Sequence, residues 1–401
     1  MYSPAESSAD PDGSADVGLL SPVSAGTSVE RLSGDRAVLA AMVRTEVALL
    51  RALVETGIAP PAAGAAADVV AGLPDLDPRR LALDAVDGGN PVIPLVRRLR
   101  AEVGEDLAGW VHFGATSQDV LDTALMLVAG DCLERVDHDL HRLGDALADL
   151  ATRHRDTPAV ARTLTQQALP TTFGLRVAVW LAGVHDAVRG LRTCRPLPVS
   201  LGGPVGSGAS YGERAPAVAE ALARGLGLVA QGPPWHTRRA PVVHLAHALT
   251  VVGGACGKLA GDLLVLGQSE VGEVREGAGG PSSSMAHKAN PARSVLVAAA
   301  ARQLPALGSV LGASMPAEQE RPAGAWHAEW QPLRTMLRLA GGAAERTADL
   351  VPGLAIDTAA MSRNLDILLG SVGESHAWAR AHTDAAAAWV DRVVRTHEEG
   401  S

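Results

Sequence analysis

Lysine is almost missing from this sequence: 401 residues hold 33 arginines but only Lys258 and Lys288. Aromatic residues are nearly as scarce, at 3 %, with seven Trp, two Tyr and two Phe. A core without aromatics must be built from Ala, Leu and Val, and the shortage of Phe, Tyr and clustered Thr disfavours sheet. The expected fold class is therefore all-α. The three cysteines, Cys132, Cys194 and Cys256, stand in apolar helical contexts without C-x-x-C spacing. That excludes a disulfide framework and reads as small buried hydrophobes. There is no G-x-G-x-x-G fingerprint opening a βαβ unit, no P-loop and no zinc signature, so neither a cofactor nor a metal is expected. His244 and His247 stand three apart on a helix without an acidic or cysteine partner, and read as an ordinary helical face. No segment has the layout of a signal peptide and no apolar run reaches about 18 residues, which points to a cytoplasmic protein off the membrane. The net charge of −9 disfavours nucleic acid as a partner. It leaves room for a small anionic substrate held by a local group of cations.

The chain is too long for an ordinary single domain. Residues 1–28 are rich in Ser, Ala, Gly, Pro and Asp and read as a disordered tail. Residues 29–110 read as an N-terminal helical domain, where Val38, Leu39, Met42, Val43, Val47, Leu50 and Leu53 form one buried stripe. Residues 111–350 read as a bundle of about five long helices, and 351–401 as a shortened C-terminal helical domain. The first long helix is expected to start at Thr116 or Ser117, with Asp119 favourable in its first turn. Its seam runs through Leu121, Leu125, Val128, Cys132, Val136, Leu140, Leu143, Leu147 and Leu150, roughly 45 Å. Further helices are expected after Pro170, Pro241 and Pro291 and over 325–350. Asn290 would cap the helix led by Pro291, while Pro305 and Pro332 should kink or break theirs. No strongly alternating strand is visible. A bundle seam of this kind often continues between subunits, so a homo-oligomer is expected.

Polar residues interrupt this background in five places. Gly89–Pro94 contains Asn90. His112–Asp119 brings His112, Thr116 and Ser117 to a helix start, where free N–H groups make a natural carboxylate seat. Arg162–Gly174 carries Gln166 and Gln167, costly to bury without partners. Glu318–Arg321 leads into Trp326, His327 and Trp330, and the aromatics beside these clusters read as cleft walls. The densest cluster is Ser282–Asn290, approached through Gly277–Gly280. There Lys288 and a helix N-terminus would stabilise a serine alkoxide, and with it the aci-carboxylate formed when a proton leaves a carbon α to a carboxylate.

The run Ser282-Ser283-Ser284-Met285-Ala286-His287-Lys288-Ala289-Asn290-Pro291 resembles the GSSxMPxKxNP signature of the fumarase/aspartase superfamily. The similarity spans about residues 28–375. Gly89 to Val96, His112 to Thr123, Thr163 to Gly174, Trp235 to Arg239 and Trp326 to Trp330 are most similar to its 3-carboxy-cis,cis-muconate cycloisomerase branch. Most branches have Thr-His where this chain has Thr163-Leu164. The resemblance implies that Ser282 is the general base and acid, with Lys288 and Asn290 holding the substrate carboxylate and its aci form. It implies a pocket lined by Asn90, His112, Thr116, Ser117, Gln167, Arg239, Ser283, Met285, His287 and Arg321. It also implies a homotetramer whose sites draw on three chains, acting without cofactor on a small polycarboxylate. The expected reaction is lactonisation of 3-carboxymuconate in protocatechuate catabolism. The alternatives are elimination of an amine or nitrite from a substituted succinate, giving fumarate, and an idle structural homologue. Pro281 and Ala286 replace the family's Gly and Pro on either side of the loop, and Arg239-Ala240 its Arg-Asp.

Overall fold

A computed structural model describes residues 18–73, 76–277, 280, 285 and 288–400. Short helices come first: α1 (Ser28–Leu32), α2 (Asp35–Glu55), α3 (Gly64–Ala71), α4 (Pro78–Asp84), α5 (Val92–Val103) and α6 (Glu105–Ala108). The 37-residue α7 (Ser117–Arg153) follows, then a hairpin of β1 (Pro158–Thr163) and β2 (Gln166–Thr172). Next are α8 (Phe173–Thr193), α9 (Ala215–Leu226), α10 (Ala240–Leu266), β3 (Val274–Glu276), α11 (Ala292–Ala313) and α12 (Ala325–Leu350). The described chain closes with β4 (Leu354–Ile356), α13 (Thr358–Val372) and α14 (His376–Gly400).

The core lies among α7, α8, α10, α11 and α12. Every residue of the α7 seam from Leu121 to Leu150 is buried, and it meets Val177, Leu181, Leu249, Val252, Met336 and Leu337 from the neighbouring helices. Where helices approach most closely, glycine makes the room: a Cβ on Gly253 would lie 2.1 Å from Leu304. Cys132 and Cys256 sit in this core, and burial pushes both thiols up to about 12.

Several sequence expectations change here. Residues 18–27 are not a loose tail: Val23, Ser24 and Thr27 are buried and Arg346 Nη2 donates to Ala25 O at 2.6 Å. Residues 1–17 lie outside the described residues. Pro305 and Pro332 stand inside α11 and α12, which continue through them. Each proline removes one backbone hydrogen bond, and packing on both sides outweighs that loss. Of the aromatics read as cleft walls, Phe173, Trp235 and Trp326 are core filler instead, all within 2 % of complete burial, while Phe113 and Trp330 are half-buried. The 158–172 stretch pairs as strands because Pro170 falls on a two-stranded edge opposite Val160, where its missing N–H costs nothing.

The C-terminal helices cover this hairpin. Leu365, Leu368, Leu369 and Ala379 pack on Val160, Arg155 grips Asp391 with two bonds of 2.6 and 2.7 Å, and His397 stacks on His185 with its Nε2 2.9 Å from Asp145. By length and composition alone α10 and α11 could each cross a membrane. They pack instead against one another and α12, with only 44 and 28 % of their apolar windows buried in the single chain. His244 and His247 lie on the exposed face of α10.

Candidate functional site

The N-terminal end of α7 is a capping box: Thr116 takes the Asp119 N–H on its side chain, and Asp119 accepts the Thr116 N–H at 3.0 Å. Asp119 is almost fully buried and does more. It also accepts from Gly202 N at 2.8 Å, Gly203 N at 2.9 Å and the Ser200 hydroxyl at 3.3 Å, and lies 2.6 Å from His236 Nε2. One carboxylate thus locks the helix start to the 200–203 segment. The helix N-terminus remains a partial positive charge facing outward, with Ser117 half-exposed at its first position.

Arg321 completes this cluster. Its Nη1 donates to Thr116 Oγ1 at 2.8 Å and its Nη2 to Pro204 O at 3.1 Å, while the side chain stays open to solvent. A guanidinium beside a helix N-terminus, a threonine and a serine is an arrangement whose chemistry suits a carboxylate. His112 belongs to the same turn; its backbone is left-handed at φ 61, and its Nδ1 lies 2.6 Å from the buried Glu46. Arg100 fastens the turn at Val111 O and the Tyr211 hydroxyl fastens it at Phe113 O. Burial pushes the Tyr211 phenol well up, with the Asp119 and Glu46 charges adding to it.

Two expected pocket residues turn out differently. Arg239 is 2 % exposed and fully engaged. It donates to Asp122 at 2.7 and 3.0 Å and to Glu329 at 3.0, 3.1 and 2.5 Å. Its guanidinium carbon lies 4.7 Å from the Trp235 ring centroid. A guanidinium so enclosed has no donor left for substrate; it holds the bundle together. Asn90, 8 % exposed, closes a turn at the start of α5, with Oδ1 accepting from Val92 N and Nδ2 donating to Gly88 O.

Gln167 stands on the exposed tip of the hairpin, paired through its backbone with Arg162. Leu164 and Thr165 make the turn with φ of 49° and 67°, and Leu164 is 96 % exposed. The hairpin is tied to the approach of the signature loop through Glu273. That fully buried carboxylate takes bonds from Arg162 Nη2 at 2.9 Å and Asn364 Nδ2 at 2.7 Å, with Arg176 Nη1 3.6 Å away. Burial lowers the Arg176 pKa, and Glu273 offsets part of that.

Of the signature run, Met285, Lys288 and Asn290 are described; Ser282, Ser283, Ser284 and His287 lie outside the described residues. Lys288 is exposed and makes no side-chain bond among the described residues. Asn290 is not the helix cap. Its backbone bridges Gly280, N to O at 3.0 Å and back at 2.7 Å, which clasps the two ends of the run. Pro291, with ψ 62, precedes α11, and Glu276 does the capping: it accepts from Ser294 N at 2.8 Å, the Ser294 hydroxyl at 2.7 Å and Arg293 N at 3.3 Å. The first-turn donors that sequence reasoning assigned to a substrate anion are thus held by the protein's own carboxylate. Within one chain, Thr116, Ser117, His112 and Arg321 come together, while Gln167 and Lys288 stand apart from them without a connecting bond.

The motif regions of this all-α frame match known proteins. Residues 28–305 match the family described as Lyase. The chain is 46 % identical over 375 residues to nitrosuccinate lyase of Streptomyces davaonensis, covering 89 % of this chain and 78 % of that protein. It is 42 % identical over 346 residues to 3-carboxy-cis,cis-muconate cycloisomerase of Pseudomonas aeruginosa, covering 84 and 75 %.

This chain belongs to the fumarase/aspartase superfamily of lyases.

The fold agrees: the crystal structure of 3-carboxy-cis,cis-muconate lactonizing enzyme from Pseudomonas putida superposes with a TM-score of 0.86 at 32 % identity, covering 95 % of this chain and 99 % of that one. This superfamily member is an enzyme of the lyase and cycloisomerase type. Sequence reasoning missed Glu46, His236, Glu273 and Glu276. The signal available for Glu46 was an acid inside the apolar stripe of α2, between Met42 and Leu49.

Proposed function

We propose that this lyase removes or adds a proton at a carbon α to a carboxylate of a small polycarboxylate, with elimination of nitrite from nitrosuccinate as its reaction. The seat formed by Arg321, Thr116 and the α7 N-terminus carries the reading, because a guanidinium beside a helix N-terminus suits a carboxylate. The leaving group follows the Streptomyces davaonensis relative, which has the higher identity over the longer span. Ser282 takes a proton from the methylene carbon, and Lys288 stabilises the aci-carboxylate next to it. The carbon–nitrogen bond then breaks, nitrite departs with the electron pair, and the new double bond makes fumarate.

A second reading is lactonisation of 3-carboxymuconate, in which a carboxylate oxygen adds to a double bond and the neighbouring carbon gains a proton. The Pseudomonas aeruginosa relative and the likeness to the Pseudomonas putida enzyme favour it. In either case the working form is a homotetramer. The half-buried apolar flanks of α10 and α11 support this, since water contact along them is unfavourable. Neighbouring copies then bring Gln167 and the signature loop to the Arg321 seat.

Purified protein mixed with nitrosuccinate should release nitrite and fumarate in equal amounts, and Ser282→Ala should abolish this with little change in stability. Loss of diene absorbance from 3-carboxymuconate without nitrite release would select the second reading. No turnover of either compound would sink both.

A further inference from the structure

Arg321 stands in the connection between α11 and α12, outside any helix, and its side chain is open to solvent. A long side chain on such a backbone has many rotamers, so only its acceptors can fix the plane of the guanidinium. Those acceptors are Thr116 Oγ1 and Pro204 O, which belong to segments far apart in the chain. They occupy two of the five N–H donors of an arginine, and the remainder suffice for a two-pronged hold on a carboxylate.

Both acceptors lead back to one buried carboxylate. Asp119 Oδ2 accepts from Thr116 N at 3.0 Å and from Gly203 N, next to Pro204, at 2.9 Å. Its Oδ1 accepts from Gly202 N at 2.8 Å and the Ser200 hydroxyl at 3.3 Å, with His236 Nε2 at 2.6 Å. A single oxygen therefore joins the residue that supplies one acceptor to the neighbour of the residue that supplies the other. The two segments are pressed together at this point: Gly203 has φ 72, and a Cβ on it would lie 2.6 Å from Gly114 O. Asp119 itself is 1 % exposed, out of reach of a substrate.

A helix cap needs only the Thr116 bond; the bonds to Gly202 and Gly203 serve something else. General attachment of the segment is already provided. Thr123 exchanges bonds of 2.9 and 3.2 Å with the Ser200 backbone, and Trp235 Nε1 donates to Val199 O at 2.7 Å. These secure residues 199–200, and Asp119 adds the hold on 202–203.

We infer that Asp119 is a positioning residue: by gripping Thr116 and Gly203 with one oxygen, it fixes the spacing of the two acceptors and so the plane in which Arg321 presents its remaining N–H groups to a substrate carboxylate. The inference rests on the carboxylate-binding reading above, whichever group departs.

Asp119→Asn keeps the shape. In either orientation of its amide, one N–H of the Gly202–Gly203 pair loses its acceptor and meets an NH2 group, so Pro204 O shifts while Thr123 and Trp235 keep the segment docked. Two readouts are taken on the full-length protein. The rate at which phenylglyoxal modifies Arg321 without substrate, followed by mass spectrometry, should rise several-fold in Asp119→Asn. Affinity for fumarate should fall roughly 10-fold, within the range for residues that share one hydrogen-bond network, and adding Asp119→Asn to Arg321→Gln should cost little more. A plain helix cap would lower Tm and leave Arg321 reactivity and fumarate affinity unchanged; that result overturns the inference. Should Asp119→Asn fail to fold, Gly203→Ala pushes the same two segments apart at Gly114 O, and unchanged Arg321 reactivity there overturns it equally. Faster modification of Arg321 with unchanged fumarate affinity would strike the carboxylate reading of the seat, while upholding the grip of Asp119 on Arg321.

Discussion

Replacing Arg239 with methionine keeps much of its bulk but takes away the cation that Asp122 and Glu329 share. Both carboxylates would remain in the bundle, with side chains 2 and 3 % exposed, facing each other without a counter-ion. Trp326 Nε1, which donates to Asp122 at 3.0 Å, would be the only hydrogen bond left to that carboxylate among the described side chains. Removing one partner of a buried ion pair costs about 3–5 kcal/mol. Spread over an unfolding entropy of roughly 2.1 cal/mol/K per residue, that lowers Tm by roughly 4–6 °C. The pH dependence has a definite sign. Burial already raises the Glu329 pKa, Arg239 pulls it back, and Asp122 adds to the rise. Without Arg239 only the raising influences remain, so the folded variant binds a proton more tightly than the unfolded chain does. Its stability is then greatest below the unfolded pKa and falls as pH rises through the folded one. Melting curves of wild type and Arg239→Met at pH 5.5 and 8 should show the gap widening at pH 8. If Arg239→Met instead raises KM at unchanged Tm, Arg239 contacts substrate and the structural reading is wrong.

Arg321→Gln should raise KM about 10- to 100-fold, since a charged hydrogen bond is worth about 1.5–3 kcal/mol, while Tm stays put; steady-state kinetics beside a melting curve check this. Glu276→Ala should strip the cap from α11 at a cost of about 1 kcal/mol, seen as faster amide exchange at Arg293 and Ser294. Gly277→Ala would place a Cβ 2.2 Å from Gly353 O, so β3 and β4 must part; kcat should fall together with stability, measured by turnover and urea unfolding.

The long helices were legible because an Ala/Leu/Val core leaves periodicity as the main pattern: the α7 seam is buried at every expected position. The start of α7 was legible from Thr116 and Asp119, since capping uses local residues. Partners distant in sequence were not. Arg239 reads as an available cation until Asp122 and Glu329, 117 and 90 residues away, close around it. Asn290 looks like a cap until Glu276 reaches across 18 residues to Ser294. The hairpin escaped because its pattern is a bulged, partly exposed edge without alternation. Of the candidate site, the helix start at Thr116 and Ser117 was readable from its local pattern and Arg321 only through the family resemblance, whereas Glu46 was hidden by lying on another helix.

The hairpin tip has a consequence for how this enzyme can change. Thr163, Leu164, Thr165 and Gln166 all point outward, while what anchors the strands, the Arg162–Glu273 bond and the packing of Val160, lies behind them. The tip is therefore separable from its foundation. Selection or an engineer can exchange those side chains, Leu164 for histidine included, without disturbing the bundle, so these four exposed positions are free to drift while the core stays as it is.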